Sequence, residues 1–125
     1  MDFVEGEILA FDKPYRWTSF DVVGKARWLL CHKLGVKKLK VGHSGTLDPL
    51  ATGVVVVCTG KKTKLIDQLQ AHQKEYVATL QLGATTPSFD LEHEIDATYP
   101  TEHITRPMVE ETLKQFVGSI EQVPP

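Results

Sequence analysis

With 125 residues, 42% of them hydrophobic, and a net charge of −2 at pH 7, the chain has the composition of one ordinary globular domain. A domain of that length buries about two thirds of its unfolded surface. No apolar stretch approaches the roughly 20 residues that span a bilayer, and the acidic start, Met1 to Glu7, has neither the basic region nor the cleavage site of a signal peptide. Cys31 and Cys58 are too few for a disulfide framework; both are expected to be reduced and buried, in a cytoplasmic protein.

The small net charge hides an uneven distribution. Residues 1–12 hold four acids and no base. Residues 13–74 hold twelve Lys and Arg against three acids, for +9, and residues 75–125 hold two against nine, for −7. A basic segment of this kind fits a polyanionic ligand, or simply a solvated surface.

In chain order, Gly6 to Asp12 reads as a strand stopped by Lys13-Pro14. Thr18 or Ser19 caps a helix running to about Lys33, with Asp21 in its first turn and Gly35 as its stop. Val22, Val23, Ala26, Leu29, Leu30 and Leu34 make its apolar face. A glycine-rich loop spans Val41 to Gly53. A buried strand over about Gly53 to Thr59 follows, then Gly60 and a helix with Leu65, Ile66 and Leu69. Tyr76 to Leu82 alternates as a strand, Ala84 to Leu91 is a loop, and Glu92 to Tyr99 reads as a further strand. Thr105 caps a last helix with Pro107 in its first turn, and Met108, Val109, Leu113, Phe116 and Val117 are expected to face inward. Gly118 ends it. Residues 1–125 therefore read as one α+β domain with a mixed or largely antiparallel sheet and flanking helices; a doubly wound sheet is the alternative.

The chemistry-bearing residues concentrate in the glycine loop. Asp48 is its only charged residue. An Asp-Pro pair is a common turn former, but the glycines at 42, 45 and 53 also let backbone or ligand approach, and a lone carboxylate there suits a nucleophile or a base set against a sugar. A glycoside-hydrolase pair is not provided, because Asp21 and Asp67 read as helical surface residues. His43, on the same loop, reads either as a hydrogen-bonded loop histidine or as a contact to base or phosphate. Tyr76 reads as a core aromatic or as a stacking platform for an unstacked base. Gly60-Lys61-Lys62-Thr63 fails the Walker pattern at Val55 and Lys62. The histidines at 32, 43, 72, 93 and 103 lack metal-ligand spacing, so no metal site is expected.

Gly42-His43-Ser44-Gly45-Thr46-Leu47-Asp48-Pro49-Leu50-Ala51-Thr52-Gly53 closely resembles the signature of the TruB family of tRNA pseudouridine synthases. Phe11-Asp12-Lys13-Pro14 with Thr18-Ser19, Lys74-Glu75-Tyr76, Leu82-Gly83 through Asp90, and Gly118 through Pro125 are similar to further motifs of that family. The Leu50-Ala51-Thr52-Gly53 ending resembles its bacterial, stand-alone branch. The resemblance implies isomerisation of uridine to pseudouridine at position 55 of the tRNA T arm, without a cofactor, after the base is flipped out. It implies Asp48 as the catalytic aspartate, attacking ribose C1′ or taking the C2′ proton. His43 would help hold the flipped-out loop, and Tyr76 would stack on the target base. The partner implied is tRNA, with no membrane, for a full-length monomer.

Two departures stand out. Thr86-Pro87-Ser88 replaces the family's usual Thr-Asp-Thr, and the chain ends at Pro125 where the family continues. That continuation carries an arginine for the catalytic aspartate, more strands and a small RNA-binding domain. The expectation is an N-terminal portion of the catalytic domain, weak or inactive alone, from a protein that is a synthase at full length. The alternative is a non-catalytic RNA-binding module.

Overall fold

A computed structural model describes residues 1–123, and the chain forms two compact units, Met1–Glu75 and Tyr76–Pro125. Each is a small α+β assembly with antiparallel strands, as the sequence predicts.

In the first unit, β1 (Ile8–Lys13), β2 (Val41–His43) and β3 (Gly53–Thr59) form a sheet of order β1-β3-β2. The valine run takes the central place because β3 is bonded on both edges: Lys13 pairs with Gly53 and Ile8 with Cys58 on one side, and Val41 with Thr59 and His43 with Val57 on the other. Three residues expected in the glycine loop, Val41 to His43, thus form a strand; the free edge of β3 supplies their hydrogen-bond partners.

Helix α1 (Ser19–Leu34) covers one face of this sheet. Thr18 and Asp21 build a capping box: the Thr18 hydroxyl oxygen accepts from the Asp21 N–H at 3.0 Å, and the Thr18 N–H donates to the Asp21 carboxylate at 2.8 Å. At the other end Gly35 adopts φ +65°, Val36 N–H donates to the Cys31 carbonyl at 3.1 Å and Gly35 N–H to that of His32 at 3.4 Å. That pair of bonds closes the helix in the left-handed conformation glycine favours. Val22 and Val23 pack on Val55 and Val57, with Phe11, Val41 and Leu47 around them. The apolar face is shorter than its periodicity predicts: Ala26 is buried, but Leu29 and Leu34 are exposed and Leu30 is half-buried. Cys31, expected buried, is half-buried as well. Cys58 is fully buried, and that burial raises its thiol pKa and keeps it an inert thiol. Beyond β3 a 3₁₀ segment (Gly60–Leu65) precedes the short helix α2 (Ile66–Gln70).

The second unit departs further from expectation. Residues 76–82 form no strand; the stretch is irregular, with Val77 96% exposed. Alternation makes a strand only where a ladder partner and a covered face exist. Among the described residues of this unit, only β4 (Ala84–Thr85) and β5 (Ala97–Thr98) pair. Between them side chains capture the backbone instead: Asp90 accepts from Glu92 N–H at 2.9 Å and Thr86 donates to the Asp90 carbonyl at 2.7 Å. Such local bonds compete with a sheet ladder, so the strand expected over Glu92 to Tyr99 shrinks to two residues. Helix α3 (Arg106–Leu113) carries its proline in the first turn and runs into a 3₁₀ turn (Lys114–Phe116). Thr105 holds the N-cap position without a side-chain bond. Met108, Val109, Leu113, Phe116 and Val117, expected to face inward, are exposed. Pro124 and Pro125, the end of the last family-like motif, lie outside the described residues. Among the described residues no helix is long and apolar enough to cross a membrane.

Replacing Thr18 with Ala is expected to lower stability by about 1 kcal/mol, read from the urea midpoint of the first unit. The Thr18 hydrogen bonds hold the Asp21 carboxyl below its usual 3.8. Its stabilising contribution is therefore present above that pH and lost as pH falls through the lower folded value. Asp21→Asn is expected to flatten the acid limb of the stability profile measured by circular dichroism.

Candidate active site

The loop between β2 and β3, residues 44–52, leaves the sheet where Ser44 N–H donates to the Val56 carbonyl at 2.9 Å. Gly45 (φ +116°) and Gly53 (φ +135°) make its exit and return possible. Between them Asp48-Pro49-Leu50-Ala51 closes a tight turn through an Ala51 N–H bond to the Asp48 carbonyl at 3.0 Å. The turn-forming and catalytic readings of Asp48 are thus compatible: its carbonyl closes the turn while its side chain stays exposed. None of the three ion pairs among the described residues involves it.

Both neighbours of Asp48 are tied to the body of the unit. On one side, Leu47 N–H donates to the Ser19 hydroxyl oxygen at 2.9 Å, and that hydroxyl lies 3.5 Å from the Leu47 carbonyl. On the other, the Pro49 carbonyl accepts from Arg16 N–H at 2.7 Å and from the Lys13 ammonium at 3.3 Å. Lys13 is 0% exposed. Its ammonium also donates to the carbonyls of Pro14 at 3.2 Å and Trp17 at 2.5 Å. Three carbonyl oxygens thus replace the water a buried ammonium would lose, matching its three donors. The result is a fixed backbone that presents one carboxylate to solvent.

Lys13 and Ser19 are the residues that reasoning from spacing misses. A lysine at a strand end reads as solvated, and Ser19 reads as an alternative helix cap; only their place in the Phe11 to Ser19 motif singles them out. His43 sits on β2, half-buried. Its Nδ1 lies 2.5 Å from the Gly45 carbonyl oxygen. A carbonyl only accepts, so Nδ1 donates this bond. His43, at the end of β2, and Asp48, in the loop that follows, therefore belong to one structured segment. Tyr76 belongs to the second unit and is 67% exposed, which rules out its reading as a core aromatic. The Gly60-Lys61-Lys62-Thr63 segment is occupied structurally: Thr63 donates to the Gly60 carbonyl at 2.8 Å, and Lys61 pairs with Glu5 at 2.8 Å, which raises the Lys61 pKa.

Ser19→Ala removes the acceptor for the Leu47 amide. The expected result is a Leu47 amide that exchanges with solvent roughly tenfold faster, as the loss of about 1.4 kcal/mol of local stability predicts. Amide exchange followed by NMR measures it, with the helical amides of α1 as internal controls.

Comparison with known proteins places this loop in context. Residues 32–125 match the family model described as TruB family pseudouridylate synthase (N terminal domain). A tRNA pseudouridine synthase B from Phocaeicola vulgatus is 72% identical over 125 residues, covering 100% of this chain and 53% of the relative. Proteins of the same name from Bacteroides thetaiotaomicron and Flavobacterium johnsoniae are 70% and 56% identical, with 52% and 55% of their lengths covered. The chain thus spans about half the length of the curated relatives it matches. With the family model covering the Asp48 loop and most of the chain, this chain belongs to the TruB pseudouridylate synthase family.

Proposed function

We propose that this chain carries the catalytic aspartate of a tRNA pseudouridine synthase whose target is uridine 55 of the T arm. The observation that carries the reading is Asp48 itself: an exposed carboxylate on a loop pinned at both neighbouring residues, in a chain 72% identical to a protein named tRNA pseudouridine synthase B.

The reaction is an isomerisation, so no atoms and no electrons are gained or lost, and no redox partner is needed. The C1′–N1 bond breaks and uracil leaves with the electron pair. Uracil then turns so that C5 bonds to C1′. The proton on C5 is lost, and N1 ends protonated. The Asp48 carboxylate serves either as the nucleophile at C1′, forming an ester bond that breaks when C5 attacks that carbon, or as the base that removes the C2′ proton and returns it once C5 has bonded to C1′. A fixed backbone suits both roles, because attack requires the carboxylate held within near-contact of one sugar carbon.

The target uridine lies within a folded arm and has to be extruded, which costs a few kcal/mol. Contacts from the segment of charge +9, residues 13–74, offset that cost by neutralising phosphates. His43, its Nδ1 bonded to the Gly45 carbonyl, contacts the displaced loop, and the exposed Tyr76 ring stacks on the target base.

Tritium release from C5-labelled uridine in a T-arm stem–loop tests the proposal in the full-length protein. Asp48→Ala is expected to reduce turnover by roughly 10³-fold or more while RNA affinity persists. Turnover retained in that variant overturns the role of Asp48. A wild-type protein that binds the RNA without releasing tritium supports a binding module instead.

A further inference from the structure

A second basic feature lies away from the Asp48 loop. An open groove of about 670 Å³ runs between α1 and residues 37–40, with Arg27, Lys37, Lys38 and Lys40 along it and Trp28 as a wall. No acidic residue lines it, and none of these four cations belongs to an ion pair among the described residues. Four like charges around one concavity repel one another, so the arrangement favours an anion.

The Trp28 wall is held in place. Its ring stacks on His32 with centroids 5.6 Å apart and planes 3° from parallel, and the Lys25 ammonium lies 5.1 Å from its centroid. Even so, Trp28 is 59% exposed. A fixed aromatic edge among unpaired cations is the composition of a surface for nucleic acid rather than for a small ion.

The position fits an extended ligand. α1 begins at Ser19, whose hydroxyl holds Leu47 beside Asp48. Arg27 and Trp28 lie eight and nine residues farther along the same helix, about 12–14 Å along its axis. That distance is roughly four nucleotides of one strand. Lys40 immediately precedes β2, which leads into the loop.

We propose that this groove binds the sugar–phosphate backbone of the RNA substrate outside its target loop, with Arg27, Lys37, Lys38 and Lys40 neutralising phosphates and the Trp28 edge covering a ribose. The proposal rests on the reading of the chain as part of an RNA-modifying enzyme.

The test is fluorescence anisotropy of a labelled T-arm stem–loop with the full-length protein across a salt series. Replacing Lys37, Lys38 and Lys40 together by Gln is expected to weaken binding roughly tenfold or more at low salt. It should also flatten the slope of log Kd against log salt by about 0.7–0.9 per lost contact. The same loss should appear in KM. Replacing the three lysines by Arg keeps the charge and should preserve the slope, which separates an electrostatic role from a folding defect. An unchanged Kd and slope in the Gln variant overturns the groove while wild-type tritium release leaves the synthase reading intact. Conversely, tritium release surviving Asp48→Ala overturns the catalytic reading and leaves the salt slope to judge the groove.

Discussion

The buried ammonium of Lys13 is the contact on which the candidate site depends. It joins the end of β1 to three carbonyls, one of which belongs to the residue that follows Asp48. A buried charge is tolerated only when its donors are satisfied, so the chain around it has little freedom. The segment from Pro14 to Trp17 must fold back over Lys13, and the Asp48–Pro49 turn must stay close. Ser19, the first residue of α1, then fixes the residue before Asp48. Strand, helix and loop thereby meet at one point, and the carboxylate is what they leave uncovered.

β3 supplies the rest of the frame. Paired on both edges and packed against Val22 and Val23, it is the most constrained element of the first unit. It begins at Gly53, the last residue of the glycine-rich signature. A rigid strand behind an exposed acid is how a fold positions a reactive group without relying on a loop's own stability. The same frame carries the basic groove along α1, so the Asp48 carboxylate and the charged surface are held by one set of packing contacts.

Local patterns in the sequence match the structure. The helix from Ser19, its Thr18–Asp21 capping box and its glycine stop follow from short-range chemistry between residues within a few positions of one another. The valine run before Thr59 forms the expected strand, but it alternates instead of being buried throughout: Val55 and Val57 are buried while Val54 is 67% exposed. Patterns that need a partner distant in sequence do not match the structure. Tyr76 to Leu82 alternates like a strand, yet its residues pair with none of the described ones. The apolar positions of α3 have helical spacing but remain exposed. Periodicity describes which face an element could bury, not whether anything covers it.

The amino-acid sequence alone marks the family, through a twelve-residue signature and its accompanying motifs, and it singles out Asp48 as the only acid of that signature. It also determined the local elements, because capping, glycine stops and β-branched runs act within a few residues. How Asp48 is presented depends on long-range packing. Lys13 and Ser19 lie 35 and 29 positions before it in sequence, and no local rule makes a strand-end lysine bury itself against a distant proline carbonyl. That burial arises when β1 pairs with β3 and α1 closes over them, since only then is water excluded and the ammonium forced to find its partners in the loop.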